Sequence, residues 1–192
     1  MRFVILLCTL FVWSTAGLAQ SEEPPAPSVE PRAMLGKLEP LVGRWTLSLE
    51  YSANGGDNWT KYPNSIVEVG HRLKGLALAE TTVSAEPGAL ELETYFSYDQ
   101  YRDVYRLAVL DDTFGVMDIY EGRLDDNALI VTNLKAGTFF PTQDGRELAF
   151  RLTIAIDPVS RDMIIDASLD GGETWFPYFR ARYERLKDGE AR

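Results

Sequence analysis

From Trp45 to Tyr51 large apolar residues occupy every second position (Trp45, Leu47, Leu49, Tyr51), with Thr46, Ser48 and Glu50 between them. That is the period of a strand with one face against a core and one in water. The alternation returns along the chain, most cleanly at Leu148, Phe150, Leu152, Ile154 and Ile156. Turn signals separate the runs: Asn54-Gly55-Gly56, Lys74-Gly75, Glu86-Pro87-Gly88, Asp99 to Asp103, Asp111-Asp112, Asp125-Asp126-Asn127 and Asp157-Pro158. Strands are therefore predicted near 45–51, 65–73, 76–85, 92–98, 104–110, 114–124, 128–134, 148–156, 163–169 and 175–186, about ten antiparallel strands joined by short loops. Ahead of them Met34, Leu35, Leu38 and Leu41 fall at helical spacing, broken by Pro40, and predict a short helix leading into the first strand. An open sheet of that size leaves two bare edges, so closure is favoured, and hairpins in sequence favour an all-β, up-and-down barrel. The cysteine pair of an immunoglobulin-type sandwich is absent.

The ends of the chain have a different composition. Residues 1–19 carry Arg2, an apolar run from Phe3 to Trp13 and the small residues of Gly17-Leu18-Ala19, the pattern of a cleaved export signal. The run is shorter than the ~20 residues of a membrane span. Residues 20–33 hold four prolines among glutamates and small residues and read as a disordered linker. The barrel domain is expected at 34–187, with a short disordered tail at 188–192. The single cysteine, Cys8, lies in the signal, so the mature chain has no thiol for disulfides, zinc-thiolate sites or nucleophilic catalysis. The formal charge of −10 becomes −11 once Arg2 leaves, and no basic run appears. Nucleic acid and anionic membrane surfaces are not expected partners. A periplasmic or secreted location follows from the signal.

Candidate chemistry is sparse. Ser168-Leu169-Asp170-Gly171-Gly172-Glu173-Thr174-Trp175 matches S-x-D-x-G-x-T-W, the Asp-box pattern of sialidase propellers, and Ser52 to Trp59 is a weaker copy with Asn54 and Asn58. A propeller needs several four-stranded blades, so both are read as self-contained hairpin turns. His71, the only histidine, shares parity with Val67, Val69 and Leu73 and is expected to face inward. A haem ligand is not assigned to it, because a second histidine and a glycine-rich continuation after Trp45 are both missing. Asp111-Asp112 and Asp125-Asp126 lack the alternating spacing of a calcium loop, and no metal or cofactor is assigned. Near the C-terminus, Arg180 to Arg185 invites comparison with the Arg-x-Tyr of fatty-acid binders, but Ala181 stands where the arginine should be. No G-x-S-x-G or nucleophile–base pair occurs, so no catalytic residue is assigned and the reading leans away from an enzyme.

The Gly43-Arg44-Trp45 strand, the Lys74-Gly75 bend, the Tyr98-Asp99 turn, the Tyr120-Glu121-Gly122 strand and the Asp-box hairpin occur in an order that resembles a bacterial family of unknown function, number 1579. The resemblance covers Leu35 to Leu186. It implies a calycin-like barrel, distantly similar to lipocalins and fatty-acid binders, and brings no activity with it. Parity places Trp45, Leu49, Phe96, Tyr98, Tyr120 and Phe150 inside, with His71 and Asp118 as polar groups. That set points to a small, mostly apolar ligand with one or two hydrogen-bonding groups. The alternatives are an enzyme on the same barrel acting on a lipid or sugar-like substrate, and a filled barrel serving as an interaction protein.

Overall fold

The computed structural model describes residues 30–187. The expected signal, residues 20–29 of the expected linker and the tail lie outside the described residues. Glu30 opens the first element: its carboxylate accepts the Ala33 amide at 3.0 Å, and Pro31 follows at the position where a missing N–H costs nothing. Helix α1 (Pro31–Gly36) thus starts inside the expected linker, two residues before Ala33. A 3-10 turn, Glu39–Leu41, completes the lead-in.

Twelve strands follow: β1 (Gly43–Tyr51), β2 (Thr60–Lys61), β3 (Ser65–Arg72), β4 (Ala77–Ala85), β5 (Leu92–Asp99), β6 (Val104–Asp111), β7 (Met117–Asp125), β8 (Ala128–Thr132), β9 (Phe140–Pro141), β10 (Glu147–Ala155), β11 (Ser160–Ser168) and β12 (Phe176–Arg185). Ten of them run in the order β11-β12-β1-β3-β4-β5-β6-β7-β8-β10, and the pairing of β10 with β11 closes the ring. Every pairing is antiparallel, so the expected up-and-down barrel of about ten strands is the fold found. The two-residue strands β2 and β9 pair with β1 and β10 outside the ring. Strand β7 begins three residues later than predicted, because Phe114 to Val116 form an exposed turn around Gly115.

One end of the barrel is plugged. Leu35, Leu38 and Leu41 are buried beneath the strands, the Trp45 indole N–H donates to the Leu41 carbonyl at 2.8 Å, and the Tyr105 hydroxyl donates to the Met34 carbonyl at 2.8 Å. The Arg185 guanidinium lies 4.2 Å from the Trp45 ring and donates to the carbonyls of Val42 at 2.9 Å and Pro40 at 2.7 Å. It thereby satisfies two carbonyls of the lead-in that lie outside the strand ladders. Gly43 is required here, since its φ is +132° and a Cβ would run into that guanidinium. The opposite end carries the long β1–β3 and β8–β10 connections and both box turns.

Candidate functional site

Behind the unplugged end lies a cavity of about 380 Å³. Its wall is apolar, with Leu49, Leu92, Val109, Met163 and Ile165 among the lining residues, and its mouth is rimmed by aromatic rings in mutual contact. Phe114 meets Phe140 edge-on at 5.8 Å, Phe140 meets Phe150 at 5.4 Å, and Phe150 tilts against Tyr178 at 5.5 Å. Tyr178 in turn meets Tyr51 and Phe179 edge-on, each at 5.1 Å. Strict alternation would place Tyr178 and Phe179 on opposite faces of β12. They line the same cavity because the register shifts opposite Ile165 and Asp166, where Ile165 faces Phe179 and Asp166 faces Pro177. Tyr178 is the extra residue of this bulge, and Pro177 beside it has no N–H to lose from the ladder.

The polar part of the wall is built around Asp118. Its buried carboxylate accepts short hydrogen bonds from the Tyr120 and Thr138 hydroxyls, and the Asn133 amide lies 3.3 Å from both of its oxygens. Burial raises the Asp118 pKa, while the bonds from Thr138, Tyr120 and Asn133 oppose the rise. Burial, reinforced by the neighbouring Asp118, pushes the Tyr120 hydroxyl well above its ordinary range. The network joins β7 to the β8–β10 connection, and so fixes one side of the mouth.

Beneath the cavity is a chamber of about 50 Å³ that shares Leu92, Val109, Tyr120, Met163 and Ile165 with it. Its polar lining includes Glu80 from β4, Arg161 from β11 and Tyr183 from β12, and Arg161 and Tyr183 are cross-strand neighbours. Arg161 is 2% exposed and Glu80 3%, and the two form a short ion pair; the Tyr183 hydroxyl donates to Glu80 at 3.0 Å. The guanidinium sits 3.8 Å from the Tyr183 ring and 5.3 Å from that of Trp45. Burial is the main cause that raises the Tyr183 pKa, and the Glu80 charge adds to it. The Arg161 Nε is buried and has no hydrogen-bond partner among the described residues.

The expected interior residues divide by level. Leu49, Tyr120 and Phe150 line the open cavity, and Phe96 lines the chamber below. Trp45 and Tyr98 are buried outside both spaces, Tyr98 donating its hydroxyl to Asp103 at the plugged end. His71 does not join them: it keeps the inward parity of Val67 and Val69 but lies past the end of the core, half exposed and 3.1 Å from Glu39. The comparison with Arg-x-Tyr resolves differently from its linear form. Arg180 and Arg182 are exposed, Tyr183 is inside, and its arginine comes from the neighbouring strand. Glu80, Arg161, Asn133 and Thr138 were not singled out by any motif. For the first two a signal existed, since Glu80 shares parity with Leu78, and Arg161 with Met163 and Ile165.

The site and fold together define a closed antiparallel barrel with an apolar interior space. No protein-family model matches the chain, and no curated protein matches it significantly. Among solved structures, that of Rv2717c from M. tuberculosis matches with a TM-score of 0.58 over 83% of this chain and 99% of that one, at 16% identity. At that identity the likeness is one of fold.

Proposed function

We propose that this barrel holds a small, mostly apolar molecule in its interior. The observation that carries the reading is the 380 Å³ cavity with an apolar wall, an aromatic mouth and few polar groups. The pattern of residues 1–19 supports export, with the mature chain beginning at Gln20 in the periplasm or outside the cell; N-terminal sequencing of protein from the producing cell checks it, and an intact Met1 in a cytoplasmic pool overturns it. The order of the strand and turn motifs supports kinship with family 1579, which contributes a fold and no activity.

The test of binding is titration with N-phenyl-1-naphthylamine, an uncharged dye that brightens in apolar surroundings. Wild type is expected to bind it saturably. Val109→Trp, which puts an indole into the cavity from β6, is expected to weaken it by about tenfold. Absence of dye binding by wild type, with no molecule carried through native purification, leaves the barrel as an interaction protein and overturns the proposal.

A further inference from the structure

The geometry points to the small chamber as the seat for the inner end of the bound molecule, and to an uncharged hydrogen-bond acceptor at that end: a hydroxyl, ketone or ester oxygen, and not a carboxylate. This rests on the reading that the barrel holds an apolar molecule, and specifies its polar group. The chamber shares five wall residues with the cavity, so a chain that enters by the aromatic mouth and fills the cavity directs its far end toward Glu80 and Arg161.

Hydrogen-bonding capacity at that level is largely committed. The Tyr120 hydroxyl hydrogen goes to Asp118 and that of Tyr183 to Glu80. One Arg161 nitrogen, Nη2, goes to Glu80. What is left over on the ion pair is a donor, the buried Nε–H of Arg161, and beside it the Thr94 hydroxyl, which also lines the chamber, can donate to the same oxygen. A buried donor without a partner is costly, so the complementary group is an acceptor. Charge then selects among acceptors. Arg161 is already neutralised by Glu80 in contact with it, out of water. A ligand carboxylate would stand beside the Glu80 carboxylate with one cation between the two, which leaves an uncompensated charge in a low-dielectric interior. A neutral oxygen takes the free donor and brings no such charge.

The proposal is tested by displacing N-phenyl-1-naphthylamine from the protein with three molecules of equal chain length: 1-decanol, 2-decanone and decanoate. On wild type at neutral pH the alcohol and the ketone are expected to displace the dye at concentrations at least about tenfold lower than decanoate. Glu80→Gln removes the resident carboxylate while Arg161 keeps its charge, and is expected to narrow or reverse that ratio. Glu68→Gln removes one negative charge from the exposed face of β3, and is expected to leave the ratio unchanged. The inference is overturned if decanoate displaces the dye from wild type as well as the neutral molecules do, or if Glu80→Gln folds and keeps the wild-type ratio. Should Glu80→Gln not fold, the wild-type ratio alone decides. If the dye binds and none of the three displaces it, the inference falls and the cavity reading stands; if the dye does not bind and no molecule is carried through native purification, both fall; if it does not bind but a molecule is carried, a carboxylate as that molecule's polar group overturns the inference alone.

Discussion

Asn133 is fully buried, and its one amide holds three segments together. Its Oδ1 accepts the Phe150 amide at 2.7 Å, and its Nδ2 donates to the Thr138 carbonyl at 2.9 Å and toward Asp118 at 3.3 Å. Asn133→Ala would strand a backbone donor and a backbone acceptor, and would take from the buried Asp118 carboxylate one of its three side-chain hydrogen-bonding partners, leaving the Tyr120 and Thr138 hydroxyls. The expected loss is about 2–4 kcal/mol in urea unfolding, since each buried group left without a partner costs about 1–3 kcal/mol. A loss well under 1 kcal/mol would show that water replaces the amide. This network could not be read from the linear pattern, because Asn133 and Thr138 lie in a connection with no period. The cavity-facing set could be read at Leu49, Tyr120 and Phe150, where alternation persists through the barrel wall. It misplaced His71 because parity says which way a residue points and nothing about where the wall ends.

At the level of elements, two turns show how much a local motif can specify. In the Asp box, Ser168 Oγ donates to Asp170 at 2.7 Å and accepts the Gly172 amide at 2.8 Å, while Asp170 accepts the Thr174 amide at 2.9 Å. The weaker copy repeats the set: Ser52 to Asn54 at 2.9 Å, Gly56 amide to Ser52 at 2.8 Å, Asn58 amide to Asn54 at 3.0 Å. Every one of these bonds lies within its own turn, which is why the hairpin reading could be made from sequence alone. Both turns sit at the unplugged end, and each tryptophan is covered by an arginine from the adjoining wall, Trp175 by Arg151 at 4.7 Å and Trp59 by Arg180 at 4.3 Å. The bulge at Tyr178 is the opposite case. Nothing local announces it beyond Pro177, and it shows only in the register of β12 against β11. Gly122 is likewise explained only by its neighbour, since a Cβ there would collide with the Ile130 carbonyl on β8.

Across the whole molecule, wrapping a sheet into a barrel takes tyrosine hydroxyls out of water. Of the nine tyrosines, five have hydroxyls held above the ordinary range, chiefly by burial: Tyr98, Tyr105, Tyr120, Tyr178 and Tyr183. For Tyr98 the hydrogen bond and charge of Asp103 add to burial, and its pKa rises from 10.0 to about 12. A folded-state pKa above the unfolded one means that, above pH 10, the unfolded chain gives up its phenolic protons first. The stability these hydroxyls contribute is therefore fully present below pH 10 and is lost as pH rises through the folded values, about 12 for Tyr98. Alkaline titration followed at 295 nm, with far-UV circular dichroism in parallel, should show the five phenolates appearing in one cooperative step as the strand signal collapses. In concentrated guanidinium all nine should titrate near pH 10. If instead the five ionise below about pH 11 with the strand signal intact, water reaches the hydroxyls of Tyr120 and Tyr183 freely. The interior would then be too wet for an apolar occupant.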